Sequence, residues 1–360
     1  KRLLQLELAA TLKIISNNGV KGFYEGEIAD KIVLDMINKN GLIRHRDLKD
    51  YRPVWREPLK GDFKGYKIVT MAPPSSGGIH IIQMLNILEN FNLKELGHNS
   101  AAYASLLSEA MKFAYADRSK YLADPDFFEV PTSKLISKQY AQAILKKIKL
   151  NKITPSSDIL PGKLIPHESE DTTHFSVADS FGNVVTNTYT LNSGYGSGVV
   201  ITNTGVIMNN EMDDFVSAPG IPNQFGLLGD DANKIEPFKR PLSSMTPTLV
   251  FKDSKPIIAT GSPGGSVIIT AVLQFLLNTL VFDMEISDAT VVPRIHHQWD
   301  PDILFLEKGF DLNHAKKIES YGQEIMITGP RTALESLEIK NDLFYGYGDT
   351  RRPDSSAKGY

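Results

Sequence analysis

The sequence predicts an α+β protein, and three observations carry that expectation. Helical periodicity dominates the first part of the chain, and a strand-rich stretch follows it. Between the two, residues 172–191 read as two strands joined by a defined hairpin turn. With 360 residues and 41% apolar content, the chain can bury a large core, as one domain or two.

The elements follow in order. Apolar residues recur at helical spacing over residues 3–16 and 24–38, with Gly19 and Gly41 as punctuation. The first of these patterns starts at once, with no capping residue, initiator Met or signal peptide before it, so an upstream segment is expected. Strands are expected over residues 58–63 and 66–71, then a loop over 72–78, a helix over 79–89 and a long helix over 101–121. Residues 151–171 are polar and contain Pro155, Pro161 and Pro166, which predicts an exposed loop leading to Thr172. Beyond the hairpin come a strand near 205–209, a loop over 213–240, strands over 248–252 and 256–260, and helices over 266–279, 283–291 and 312–320. The sequence has no internal repeat and no low-complexity tract.

Composition removes several function classes. A net charge near −3 with scattered basic residues gives no electrostatic case for nucleic acid. No run of about twenty apolar residues is present, so no membrane-spanning helix is expected. The absence of cysteine removes disulfides, thiol catalysis and cysteine metal sites, and leaves the compartment open.

The Asp171-Thr172 junction carries the most chemistry. A polar stretch ends there and a strand begins with a β-hydroxyl residue. Cutting the bond before Thr172 would give one residue a nucleophilic hydroxyl and a free amine. An α-amine has a pKa of roughly 7.7–8 and serves as a base near neutral pH. The ordinary alternative is a plain strand residue. Asp179 closes this strand, Asn183 opens the next, and Gly182 supplies the positive φ that a three-residue loop needs. Counting outward from the Asp179–Asn183 pair places Thr190 opposite Thr172, with Asn192 just beyond on the same face.

Other segments offer further chemistry. Gly261-Ser262-Pro263-Gly264-Gly265-Ser266 joins a strand to a helix, so its N–H groups suit an oxyanion, or its glycines merely make a tight turn. Ser243 and Ser244 stand before a strand and could bind a carboxylate or satisfy a turn. Glu211, Asp213 and Asp214 could bind an ammonium group, and without a nearby His they make a poor metal set. Arg294-Ile295-His296-His297-Gln298-Trp299 matches no zinc spacing and reads as structural. Neither a metal nor a cofactor is expected.

Together these segments resemble gamma-glutamyltranspeptidases, members of the N-terminal nucleophile hydrolase superfamily. The carrying stretches are residues 172–177, 188–192, 209–215, 240–245 and 261–266, with 73–78, 115–118 and 123–125 upstream. The resemblance implies a four-layer αββα sandwich. It also implies self-cleavage between Asp171 and Thr172 into a large-subunit part (1–171) and a small subunit (172–360), which stay together as a heterodimer within one integrated domain. Thr172 is then the nucleophile, Thr190 holds it, and the N–H groups of Gly264 and Gly265 stabilise the oxyanion. Asn192, Glu211 and Asp214 match the family's α-ammonium positions, and Ser243 and Ser244 its α-carboxylate positions. The family's carboxylate-binding arginine lies upstream of this sequence, and Arg240, before Pro241, reads as structural. Phe225 stands where many relatives carry a lid tyrosine. The implied substrates are glutathione and other γ-glutamyl compounds, with water, an amino acid or a dipeptide as acceptor, and the implied location is the periplasm or the medium. A related amidase or acylase, or a non-catalytic binding homologue, is the alternative.

Overall fold

The structure is a computed structural model that describes residues 3–159, 172–218 and 220–360. The chain falls into two compact units, Lys1–Arg56 with Leu191–Asn210, and Glu57–Thr190 with Glu211–Tyr360.

The smaller unit carries α1 (Leu6–Asn18), α2 (Lys21–Tyr24), α3 (Glu27–Asn38) and α4 (His45–Asp50). One face of α3 buries Ile28, Ala29, Ile32, Val33 and Met36, and these cluster with Ile201 from the returning segment. Polar bonds fix that segment on the helices. Thr11 Oγ1 donates to the Thr204 carbonyl at 2.8 Å, and Asp35 accepts from the Thr202 N–H at 2.9 Å. The strand expected near 205–209 does not form. A single bridge, Val200 to Ile207, replaces it, because the turn at Ile201–Val206 leaves only a short paired ladder.

In the larger unit six antiparallel strands form one sheet, ordered β1 (Leu59–Phe63), β2 (Tyr66–Thr70), β5 (Thr248–Lys252), β6 (Lys255–Thr260), β10 (Glu335–Lys340) and β11 (Leu343–Gly348). The hairpin β3 (Thr173–Ala178) and β4 (Val184–Tyr189) makes a second sheet, which packs on β6 and β10. β7 (Ile295–His296), β8 (Ile303–Glu307) and β9 (Glu324–Thr328) make a third. The helices are α5 (Gly77–Leu88), α6 (Leu93–Leu96), α7 (Ala101–Tyr121), α8 (Thr132–Leu135), α9 (Lys138–Leu145), α10 (Val267–Leu280), α11 (Ile286–Val291) and α12 (Leu312–Ser320). Every residue of α5 is buried, as befits a helix that packs on β1 and β2 and also against α7, α9 and α10. The hairpin's outward face presents Phe175, Val177, Val185 and Tyr189, all exposed.

The expected exposed loop over 151–171 is corrected for its first part. Ile153, Ser156 and Ile159 are buried. The Trp299 indole donates to the carbonyls of Ser156 and Ile159 at 3.1 and 2.8 Å. Asp302 accepts from the Ser156 N–H at 2.7 Å and pairs with the buried Lys112 at 2.6 Å. Buried charges on α7 require partners, and this stretch of backbone supplies some of them. Residues 160–171, including Asp171, lie outside the described residues.

Candidate active site

The hairpin register matches the count made from the turn. Asp179 N–H donates to the Asn183 carbonyl at 3.0 Å, Gly182 has φ 88°, and Thr173 pairs with Tyr189. One step further puts Thr172, buried just ahead of β3, opposite Thr190. Arg352 holds the Thr172 carbonyl with a 3.0 Å bond from Nη1, a contact between residues far apart in sequence that local pattern does not reveal.

Two residues along the same face, His174 braces the two strands of the hairpin, and Thr186 Oγ1 ties it to the sheet below by donating to the Thr260 carbonyl at 3.1 Å. His174 Nδ1 lies 2.7 Å from Thr188 Oγ1, and its Nε2 lies 3.1 Å from Thr186 Oγ1. A Cβ on Gly261 would fall 2.2 Å from the His174 ring, so only glycine lets the strand-to-helix turn approach this closely. Burial pushes the His174 pKa down to about 3, so the ring is neutral at physiological pH and works as a spacer.

That turn places Gly264 at φ 128° and Gly265 at φ 53°, both in the region that favours glycine. Their carbonyls accept the first bonds of α10, from Val267 and Ile268. Their N–H groups make no hydrogen bond among the described residues, as an anion-binding turn requires. Phe225, expected as a lid residue, is buried with its ring directly on Gly265, where an added Cβ would meet it at 2.5 Å.

α7 gauges the distance to the other half of the site. Tyr115 donates from its hydroxyl to the Ser266 carbonyl, next to the glycine turn. One helical turn on, Arg118 reaches the serine loop. Its Nε donates to Ser76 Oγ at 3.1 Å and its Nη2 to Ser244 Oγ at 3.3 Å. Residues three apart share a helix face, so α7 spaces the turn from the serines. Burial lowers the Arg118 pKa to about 10, which leaves it a cation at neutral pH. Ser244 accepts from Arg118, and Ser243 Oγ accepts from the Met245 N–H at 3.1 Å. Each hydroxyl therefore keeps its own proton to donate outward, which suits a carboxylate.

The acids lie close to the same arginine. Glu211 and Asp214 sit on one 3-10 turn, and their side chains hydrogen-bond each other. Burial, then the Glu211 charge, raises the Asp214 pKa well above the usual carboxylate range, against the pull of Arg118. Burial also raises Glu211. Asn233 braces acids against serines. Its amide donates to the Asp214 carbonyl at 2.7 Å and accepts from the Leu242 N–H at 3.2 Å. Asn192 belongs to the smaller unit, where it adopts φ 74° and donates to the Asn210 carbonyl at 3.2 Å. Arg240 is structural, bonding Asp124 through its N–H at 2.8 Å and lying 4.0 Å from Asp126. Sequence reasoning assigned no role to Arg118, Asn233 or Arg352. The available signals were the 115–118 stretch that carries part of the resemblance and five charged residues, Glu109, Lys112, Asp117, Arg118 and Lys120, on a long helix.

The chain matches the family model described as Gamma-glutamyltranspeptidase over residues 1–359. It is 49% identical over 359 residues to a glutathione hydrolase proenzyme of Escherichia coli (strain K12), covering 99% of this chain and 62% of that protein. It is 43% identical over 373 residues to a glutathione hydrolase proenzyme of Pseudomonas sp. (strain A14), covering 100% of this chain and 64% of that one. A cephalosporin acylase from Bacillus halodurans matches the fold with a TM-score of 0.83 at 25% identity, over 98% of this chain and 63% of the other. The chain thus spans less than two thirds of these relatives' length. The fold is the N-terminal nucleophile hydrolase type that the resemblance implied. The chain belongs to the gamma-glutamyltranspeptidase family.

Proposed function

We propose that this chain forms the catalytic part of a self-processing γ-glutamyl hydrolase and transferase. The observation that carries it is Thr172, buried opposite Thr190 with its carbonyl held by Arg352, on the strand that packs against the Gly261–Gly265 turn. In the precursor the Thr172 hydroxyl attacks the Asp171 carbonyl carbon, and the peptide nitrogen leaves as the Thr172 amine. Water hydrolyses the resulting ester and frees the carboxylate. In the processed enzyme the amine accepts the hydroxyl proton as Oγ attacks the γ-carbonyl of glutathione or another γ-glutamyl amide. The N–H groups of Gly264 and Gly265 take the oxyanion, each donor contributing about 2.7–4 kcal/mol. The proton passes to the leaving amine, and water or an amino acid or dipeptide resolves the γ-glutamyl ester. Thr190 orients the nucleophile. Glu211 and Asp214 receive the α-ammonium, and the Ser243 and Ser244 protons receive the α-carboxylate.

The two fragments, 1–171 and 172–360, remain associated as a heterodimer. Export to the periplasm or medium rests on the resemblance, and cell fractionation tests it. The acylase likeness keeps a second substrate class in view. Paired acids beside Arg118 and two outward-donating serines suit a zwitterionic α-carbon better than a plain acyl chain. Intact-mass measurement of full-length protein with Thr172→Ala tests the proposal. One uncut chain without turnover is expected, and two fragments divided at this bond would overturn it. Comparing γ-glutamyl and glutaryl anilides decides the substrate class.

A further inference from the structure

The segment Arg294–Trp299 carries polar side chains that the function above does not use. His296, His297 and Gln298 are 2%, 0% and 3% exposed. His297 is absorbed by structure. Its Nε2 lies 3.1 Å from Asp302, and its Nδ1 accepts from the Trp299 N–H at 3.0 Å. His296 and Gln298 belong to a different chain of bonds. Thr270 Oγ1 lies 2.9 Å from His296 Nδ1, His296 Nε2 lies 3.0 Å from Gln298 Oε1, and Ser266 Oγ donates to the same Oε1 at 2.7 Å.

This geometry fixes the direction of the bonds at Gln298. Its Oε1 only accepts, so His296 must carry its proton on Nε2, with Nδ1 facing Thr270 Oγ1, which also lies 3.1 Å from the Val267 carbonyl. With Oε1 held by two donors, the amide cannot flip. Its Nε2 must point away, and it donates to the Phe225 carbonyl at 3.1 Å. A flipped amide would set two acceptors face to face at Phe225, a cost with no return in a buried site. Ser266, which helps to aim the amide, directly follows Gly264 and Gly265, and the Phe225 ring rests on Gly265.

The lid segment has no regular secondary structure, so few bonds set its height. Within it, Asn223 Oδ1 accepts from the N–H groups of Phe225 and Leu227 at 3.0 and 3.1 Å. Asp213 accepts from the Gln224 N–H at 2.8 Å. These bonds shape the loop and tie it to the acidic turn. Among the described residues, the bond from Gln298 joins its tip to the buried segment that follows β7.

We propose that Gln298 is a positioning residue for acyl transfer: its amide clamps the Phe225 carbonyl and seats the Phe225 ring on the Gly264–Gly265 turn, holding the lid loop over the oxyanion donors. His296, Thr270 and Ser266 aim the clamp. The inference rests on the proposed function for its consequence in catalysis, though not for the clamp itself.

Hydrogen–deuterium exchange of full-length protein with Gln298→Glu tests it. Glutamate keeps an acceptor for His296 and Ser266 and removes the donor to Phe225. Exchange in a peptide spanning residues 222–228 is expected to accelerate about tenfold, the loss of one such bond, while peptides from α7 and α10 keep their rates. In the same variant kcat/KM for a γ-glutamyl anilide is expected to fall several-fold, carried mainly by KM. Gln298→Met, which removes the amide without adding charge, gives the decisive measurement if the glutamate variant does not fold. Unchanged exchange in the lid, or an increase shared equally by α10, would overturn the clamp. A wild-type protein that neither cuts itself nor turns over the anilide defeats the functional proposal, while the exchange comparison still decides the role of Gln298.

Discussion

Arg118→Lys is the most informative single change, because it separates recognition from folding. The arginine fork reaches two hydroxyls from different parts of the chain, Ser76 at 3.1 Å and Ser244 at 3.3 Å. A lysine ammonium keeps the charge but is a point donor on a flexible stem, and it can satisfy one of these positions well. Losing one hydrogen bond from a charged donor costs about 1.5–3 kcal/mol. At about 1.36 kcal/mol per factor of ten, that is roughly a 10- to 150-fold loss in kcat/KM if the lost bond is the one that aims Ser244 at the substrate carboxylate.

Steady-state kinetics on two anilides read this out. The first is the γ-glutamyl anilide. The second is 4-aminobutyryl anilide, which has the same amine and scissile bond without the α-carboxylate. The lysine variant is expected to lose its roughly 10- to 150-fold on the first substrate and only a few-fold on the second. A melting curve within a few degrees of wild type accompanies that result. Equal losses on both substrates would mean that Arg118 supports the fold alone, and the assignment of Ser243 and Ser244 to the carboxylate would lose its basis.

Other consequences are equally accessible. Thr190→Val removes the hydroxyl facing Thr172 at constant shape, and self-cleavage followed by intact mass is expected to slow by up to about tenfold, one hydrogen bond. Gly265→Ala forces a side chain to φ 53° and sets its Cβ 2.5 Å from the Phe225 ring; a stability loss of at least about 1–2 kcal/mol by denaturant titration and a fall in kcat/KM are expected. The raised carboxyl pair Glu211–Asp214 predicts that KM for an α-amino substrate rises as pH falls through that raised range, because protonation removes the charge that the ammonium meets. Asp214→Asn should flatten that rise, and KM measured over a pH series checks it. His174 is held neutral down to about pH 3 by burial, so the unfolded chain takes up its proton first. That histidine's stabilisation is complete above its unfolded pKa of about 6.5 and is lost as pH falls towards its folded value, at up to about 1.4 kcal/mol per pH unit. His174→Leu should remove one proton's worth of slope from unfolding free energy against pH.

How much of this was legible depended on whether the signal was local. The hairpin register could be read because Asp179, Gly182 and Asn183 define a turn and the period of two carries it to Thr172 and Thr190. α7 and α12 were readable as helices, and α7 was placed at its observed ends, 101–121. The ligands of α7 were not readable, since Arg118 contacts residues 42 and 126 positions away. β10 and β11 were missed although Asn341 and Asp342, both at positive φ, form the kind of turn that pairs adjacent strands. Much of β11 is exposed, which erases the apolar alternation that marks a strand. The anchoring of residues 153–159 was misread as exposure because Pro155 and a polar composition hid the buried Lys112 and Trp299 that take up their backbone groups.

Charge balance explains why buried ions converge here. A buried guanidinium such as Arg118 costs several kcal/mol to desolvate unless an opposite charge answers it. Asp214 answers it, but the neighbouring Glu211 charge repels Asp214 in turn. Raising both carboxyl pKa values relieves that repulsion, while the Arg118 charge pulls Asp214 the other way. On the proposed function, a glutamyl α-carbon would bring one ammonium to the acids and one carboxylate to serines backed by the arginine. A ligand with only one of those groups would leave a charge unanswered in a desolvated site. On that proposed function, the site would therefore favour a zwitterion over either half-ligand, with Arg118 backing the carboxylate side through Ser244.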